Sequence, residues 1–236
     1  MVKVLGIIPA RRGSKRIPDK NLKELAGKPL VSYVIEEALK SKNLDRVVVS
    51  TEDEEIAKVA RRFGAEVLMR PEELARDDVP LVAVAKHVME SFDKIGEIFD
   101  IIVSIQPTNP FIEAKDIDEG IEKIIDSGCD SVVSVTRIIG THPMRAYRRE
   151  GDRLYPFSEI TTETFLQRQD LPEALGFTGS IYIRKRELLE RWDGKGFALG
   201  NDIRYIYIEP ERAVDINEPI DFILAEAIMR GKHEDR

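Results

Sequence analysis

Five cations, Arg11, Arg12, Lys15, Arg16 and Lys20, crowd residues 9–21 together with Gly13, Ser14, Pro18 and Asn21. An apolar run, Val4 to Ile8, leads into them and reads as a buried strand. A strand that opens into such a loop suits a polyphosphate: glycine lets the backbone come close, and the cations offset the ligand's charge. Charge alone leaves a second reading open, a solvated basic loop. A Walker A element is excluded, since five residues after Gly13 stands Pro18, where that motif needs Gly-Lys-Ser/Thr. No G-x-G-x-x-G follows a strand, which argues against a dinucleotide cofactor. His87, His142 and His233 lack metal-ligand spacing, and no Ser-His-Asp or Cys-His arrangement stands out locally.

The elements that must position this loop alternate. Strand-like runs cover residues 2–8, 46–50, 66–68, 101–105 and 131–135, with helix-like segments at 29–40, 54–63, 81–92 and 114–126 between them. Such alternation predicts an α/β fold, a mostly parallel sheet covered on both faces, with ligands at the carboxyl ends of the strands. The loops after Ile8, Ser50 and Ile105 are expected to face one cleft. Pro29 suits a first helical turn and Gly64 a helix C-terminus. From Ile138 the pattern turns polar, with a hairpin-like turn at Glu150-Gly151-Asp152. Residues 138–177 are read as a small protruding arm that packs on a second copy, a probable dimerisation element. The sheet resumes at 179–183 and 204–208, and a last helix covers 219–230.

With 236 residues the chain is one domain carrying that arm. Its net charge of -7 argues against a general nucleic-acid binder, so the basic loop is a local feature. The single cysteine, Cys129, permits no internal disulfide and is expected to be a small buried residue. No leader and no membrane-length apolar run is evident, so the expected location is cytoplasmic, away from membranes.

The segment Ile8-Pro9-Ala10-Arg11-x-Gly13-Ser14-Lys15-x-Ile17-Pro18-x-Lys20-Asn21 resembles the opening motif of the acylneuraminate cytidylyltransferases, the CMP-sialic acid synthetases. The resemblance continues through Val49-Ser50-Thr51, Phe63-Gly64-Ala65-Glu66-Val67 and Arg70-Pro71-x-Glu73-Leu74-Ala75-x-Asp77. It runs on to Gln106-Pro107-Thr108-Asn109-Pro110, Arg168-Gln169-x-Leu171-Pro172, Gly179-Ser180-Ile181-Tyr182-Ile183 and Val214-Asp215-Ile216. CMP-Kdo synthetases are less similar in the first loop.

The resemblance implies a three-layer, nucleotide-diphospho-sugar transferase-like, Rossmann-like fold and a homodimer. The implied reaction is attack of a sugar-acid hydroxyl on the α-phosphate of CTP, with pyrophosphate leaving. Arg11, Lys15 and Arg168 are the implied catalytic residues. Ala10, Arg11, Gly13, Ser14, Lys15, Asn21 and Arg70 would bind the nucleotide, although Asn21 would equally suit a loop-closing role. Gln106, Arg145, Arg168 and Tyr182 would bind the acceptor. Asp215 and Asn217 would hold Mg²⁺, two residues apart on one side of an extended segment.

Three departures stand out. Relatives carry Asp-x-Asp where this chain has Asp215-Ile216-Asn217, so one carboxylate is missing, and Asn217 could instead cap the helix that follows. Val79 and Leu81 replace small or hydroxyl residues near the base and ribose. Arg16 stands where many relatives have glycine. Alternative readings are a related nucleotidyltransferase using a Kdo-type acid or another nucleoside triphosphate, and a non-catalytic nucleotide-binding protein.

Overall fold

The computed structural model describes residues 2–138, 140, 142–157 and 167–234, apart from the side chains of Arg168 and residues 232–234. Strand β1 is Val4–Pro9; β2 (Glu24–Leu25) and β3 (Lys28–Pro29) form a minimal hairpin that leads into helix α1, Leu30–Lys40. The alternation then runs β4 (Arg46–Thr51), α2 (Glu54–Arg62), β5 (Glu66–Met69), α3 (Leu81–Asp93), β6 (Ile101–Ile105), α4 (Ala114–Ser127) and β7 (Ser131–Arg137). A hairpin of β8 (Tyr147–Glu150) and β9 (Arg153–Pro156) follows, then β10 (Leu175–Lys185), α5 (Arg186–Glu190), β11 (Ile203–Tyr207) and α6 (Pro219–Glu234).

Seven strands form one sheet in the order β11-β7-β10-β6-β1-β4-β5. All pairings are parallel except the two made by β10, which runs against both β6 and β7. Continuous Val/Ile/Leu runs mark strands buried on both faces, as a parallel sheet requires. On one face Ile8, Val49, Ile181 and Ile183 meet Val34 and Ile35 of α1 and Ile117 and Ile121 of α4. On the other, Leu5, Ile7, Val48 and Ile102 meet Val88, Met89 and Phe92 of α3 and Leu189 of α5. Three layers result, as expected.

Gly64, at φ +92°, ends α2 in a left-handed turn: its N–H donates to the Arg61 carbonyl and that of Ala65 to the Ala60 carbonyl. Pro29 precedes the first turn of α1 rather than lying in it, because it also closes the β2–β3 hairpin. The β2–β3 hairpin, helix α5 and the start of β10 differ from the sequence reading. Helix α5 carries too few residues to show a period. Strand β10 starts at Leu175 rather than 179, since Leu175–Phe177 already pair with β7 before a bulge interrupts the register. Gly179, at φ +74°, lies in that interruption. The arm therefore gives up residues 175–177 to the sheet. What remains includes the β8–β9 hairpin, a separate two-stranded sheet turning at Gly151-Asp152, while residues 158–166 lie outside the described residues. No helix among the described residues is long and apolar enough to cross a membrane. Cys129 is buried and its thiol donates to the Ser131 carbonyl, which agrees with a structural role.

Helix α4 approaches the sheet at Gly120, where an added Cβ would overlap Cδ1 of the fully buried Ile183. Gly120→Val should therefore destabilise the fold by about 3 kcal/mol, the upper part of the overpacking range. Urea unfolding measures it; a loss below ~1 kcal/mol would show that α4 can shift away.

Candidate functional site

At the carboxyl ends of β1, β5 and β6 lies a cavity of ≈ 270 Å³. Its walls come from the loop after β1 (Arg11, Ser14, Lys20, Asn21), the segment after β5 (Arg70, Leu74, Arg76, Asp77, Val79), the start of α3 (Leu81, Val84) and the end of β6 (Gln106, Thr108). Cations occupy one side and aliphatic side chains another. The loop after β4 stands behind the wall rather than in it, and supplies Glu52 and Asp53 to the cations in front.

The basic loop is pinned from several directions. Its Arg12 guanidinium bonds Asp19 (3.1 Å) and Asp53 (2.9 Å), and Asp53 also caps α2 through the N–H groups of Glu55 and Ile56. Asn21 is buried and donates its amide to the Arg11 carbonyl at 2.8 Å, the loop-closing role. Its Oδ1 is then left buried and, among the described residues, unpaired. Gln106 is fixed through its backbone, whose N–H donates to the Ser180 carbonyl, while its side-chain Nε2 is buried without a partner among the described residues. An orphan acceptor and an orphan donor on one cavity are a polar ligand's complement, because leaving such groups unmade costs about 1–3 kcal/mol each.

Arg70 is a buried cation whose Nη2 pairs with Glu52 at 2.8 Å. Burial lowers its pKa from the ordinary arginine value; Glu52 works against that decrease and Arg11 adds to it. Lys20 reaches the Ile216 carbonyl at 2.6 Å and Asn217 Oδ1 at 3.5 Å. It too is pulled below the usual lysine value, first by burial, with Asp215 opposing. Arg11 and Lys15 both engage Asp77, Lys15 at 2.5 Å. These two contacts, Lys15 foremost, hold the Asp77 carboxyl below its ordinary value.

Asp215, Ile216 and Asn217 are fastened to the cavity rim by the Ile216 N–H, which donates to the Thr108 carbonyl at 2.9 Å. Asp215 Oδ2 accepts from the Asn217 amide at 2.6 Å. Asn217 does not cap α6: the Asp221 carboxylate takes the N–H groups of Asn217 and Glu218 instead, which frees the Asn217 side chain for the Lys20–Asp215 cluster. No group of three or more His, Cys, Asp or Glu able to hold a metal occurs among the described residues.

Several expected site residues lie elsewhere. Ala10 is fully buried with its N–H bonded to the Ser50 carbonyl, and does not line the cavity. Gly13 edges a neighbouring groove with Lys15 and Asp77; a Cβ there would meet nothing, so close backbone approach is not what selects it in this conformation. Tyr182 is buried behind the wall, packed with Leu81 and stacked on Phe197 at 5.9 Å. The guanidinium of Arg184, a fully buried arginine that burial pulls down to about 10, lies 4.9 Å from its ring centre. Arg145 sits in the short helix Pro143–Arg145 of the arm, outside the cavity lining. Arg168 lies in the turn Arg168–Asp170 that returns from the arm, and its side chain is outside the described residues. Sequence reading missed Glu52 as the partner of Arg70; the adjacent Val49-Ser50-Thr51 block was its only local signal. It also left Asp77 without a role.

Comparison with known proteins gives a consistent picture. A family model described as cytidylyltransferase matches residues 5–172. N-acylneuraminate cytidylyltransferase A of Danio rerio is 36% identical over 225 residues, 94% of this chain but 50% of that protein, so the chain spans about half its length. CMP-N,N'-diacetyllegionaminic acid synthase of Legionella pneumophila is 32% identical over 236 residues, covering 99% of both chains. Among solved structures, CMP:2-keto-3-deoxy-manno-octonic acid synthetase complexed with CTP superposes with a TM-score of 0.75 at 21% identity, over 98% of this chain and 99% of that one, a likeness of fold.

Because Asp77 occupies two cations that an anionic ligand would need, Asp77→Asn should tighten the binding of inorganic tripolyphosphate. The expected gain is roughly two- to fivefold, the range for releasing exposed ion pairs. The carboxyl is held below its ordinary value by Lys15 and Arg11, so its pairing is complete at neutral pH and lost only in acid. The gain should therefore stay constant from about pH 6 to 9. Calorimetric titration at fixed ionic strength reads it, and weaker binding by the variant would contradict the account.

Proposed function

The chain belongs to the cytidylyltransferase family, and from that premise we propose that it transfers CMP from CTP to a sialic-acid-like sugar acid, releasing pyrophosphate. The observation that carries the reading is the convergence of Arg11, Lys20, Arg70 and Arg76 on one cavity of a chain whose net charge is -7. In this reading the acceptor hydroxyl attacks the α-phosphate, and charge builds on the α-phosphate and the leaving oxygens. Arg11 and Lys15 leave Asp77 to meet that charge, joined by the Gly13 N–H and the Ser14 hydroxyl, the Ser14 N–H being held by the Arg12 carbonyl. Once the triphosphate has drawn them from Asp77, these donors are in place before charge develops on the reacting oxygens, which lowers the barrier. Arg70 and the free Oδ1 of Asn21 hold the nucleotide. Gln106 Nε2 donates to the acceptor; Gln is no proton acceptor, so its role is binding. Arg168 and Arg145 belong to the arm side of the acceptor and Tyr182 backs its wall.

Mg²⁺ is part of this proposal. The donor set on hand, a half-buried Asp215 carboxylate and the Asn217 carbonyl oxygen, is made of hard oxygens, and Mg²⁺ is commonly held by one or two carboxylates plus substrate phosphates. The fit is sparse but consistent. When bound there the ion would neutralise triphosphate charge. Asn217 removes one negative charge, and Lys20 lies against the same cluster, so weak binding of the ion follows. A cytoplasmic homodimer completes the reading. Its support is the β8–β9 hairpin, which stands off the main sheet with Leu154 and neighbouring Phe157 66% and 71% exposed.

Pyrophosphate release across a matrix of nucleoside triphosphates and sugar acids tests the activity, with sialic, legionaminic, pseudaminic and Kdo-type acids as arms. Release with CTP and one of the first three is expected; none with CTP and any acid would overturn the proposal. Lys15→Ala should lower kcat by about 10²-fold or more, the size of one lost transition-state donor, while leaving thermal stability unchanged because the side chain is 82% exposed. Asn217→Asp should lower the Mg²⁺ concentration giving half-maximal rate; an unchanged Mg²⁺ titration would remove Asn217 from the metal site.

A further inference from the structure

Glu52 stands outside every role assigned so far, yet it touches two walls of the cavity. Its Oε2 accepts from both Nε (3.2 Å) and Nη2 (2.8 Å) of Arg70, and its Oε1 accepts the backbone N–H of Arg12 at 2.8 Å. One carboxylate thus brackets the basic loop and the buried guanidinium. Its own backbone is held firmly. The preceding Thr51 receives the Asp53 N–H on its hydroxyl and the Arg70 N–H on its carbonyl, and Asp53 caps α2.

Arg70 makes no other side-chain hydrogen bond among the described residues, so Nη1 remains available at the cavity. A guanidinium is planar, and fixing Nε and Nη2 fixes the direction in which Nη1 donates. Without Glu52 a buried arginine beside Arg11 would turn toward the next anion. We infer that Glu52 is a positioning residue for the nucleotide, holding Arg70 and the basic loop in one frame so that both ends of CTP meet donors already in place. The role rests on the cytidylyltransferase reading and acts through Arg70 rather than on the reacting atoms.

A double-mutant cycle tests it, using Glu52→Gln, Arg70→Met and their combination. CTP affinity is measured by calorimetry on protein shown folded by circular dichroism, and kcat/KM replaces it where binding is too weak to titrate. Gln keeps the shape of Glu and can still accept the Arg12 N–H, but it loses the charge that orients Arg70. Glu52→Gln alone is expected to weaken CTP binding about tenfold or more, the scale of a hydrogen bond to a charged group. In the Arg70→Met background the same change should matter less than about threefold. A merely structural role would lower thermal stability without that background dependence. The inference is overturned if Glu52→Gln binds CTP within threefold of the unsubstituted protein, or loses equally in both backgrounds. An unsubstituted protein that binds no CTP would overturn the proposed function instead.

Discussion

Cations of one sign do not gather unaided, and this site depends on the carboxylates stationed around them. At an effective dielectric of 20, two unit charges 4 Å apart repel by about 4 kcal/mol. Arg11, Arg12, Lys15, Lys20 and Arg70 nonetheless share one end of the sheet, each with an acidic or carbonyl partner: Asp77, Asp19 with Asp53, Asp77, the Ile216 carbonyl, and Glu52. The partners differ in kind. Glu52 and Asp53 belong to a capped turn and fix direction, whereas Asp77 sits on a short loop and engages two exposed cations. A rigid set and a releasable set of counter-ions can serve different ends, the first orienting a ligand and the second keeping a place for it.

The sheet makes this assembly possible. Parallel β1, β4, β5 and β6 deliver their following loops to one end, and the helices that return the chain bury the apolar faces. Reversed β10 then brings Ser180 beside Gln106 and Gly179 toward Asp215, whose Oδ2 lies 3.9 Å from where a Cβ at that glycine would stand. The Gln106 and Asp215 sides of the cavity thereby meet around the strand that breaks the parallel pattern. Its bulge lets Leu175–Phe177 and Tyr182–Arg184 both pair with β7 although the register shifts between them.

The central elements were legible because their signals are local. Val4–Pro9 and Ile101–Ile105 are runs dominated by Val, Ile and Leu, and α3 repeats its apolar residues at helical spacing. The cleft loops after β1 and β6 followed from alternation alone. Less was legible where pairing decides structure: β10 was seen as a strand, but neither its direction nor its early start at Leu175 is written in its own residues. Nothing local sets Lys20 apart from the other cations of its loop, because its partners, Ile216 and Asn217, lie nearly the whole chain away. Asn217 offered two roles in sequence, and the Asp221 carboxylate, by taking the N–H groups at the start of α6, removed the capping one.

By itself the sequence determined the alternating α/β order, the basic loop and its cytidylyltransferase-type blocks, since these rest on residue type, period and short-range spacing. Only the tertiary structure decided which cation faces which carboxylate, that Tyr182 backs the wall instead of lining it, and that Glu52 ties the basic loop to Arg70. Most of those outcomes depend on contacts between residues distant in the chain, such as Arg12 with Glu52 and Lys20 with Ile216, which become neighbours only once the sheet has set its strand order. A residue's chemistry can be read from its identity, but its counter-ion is chosen by the fold.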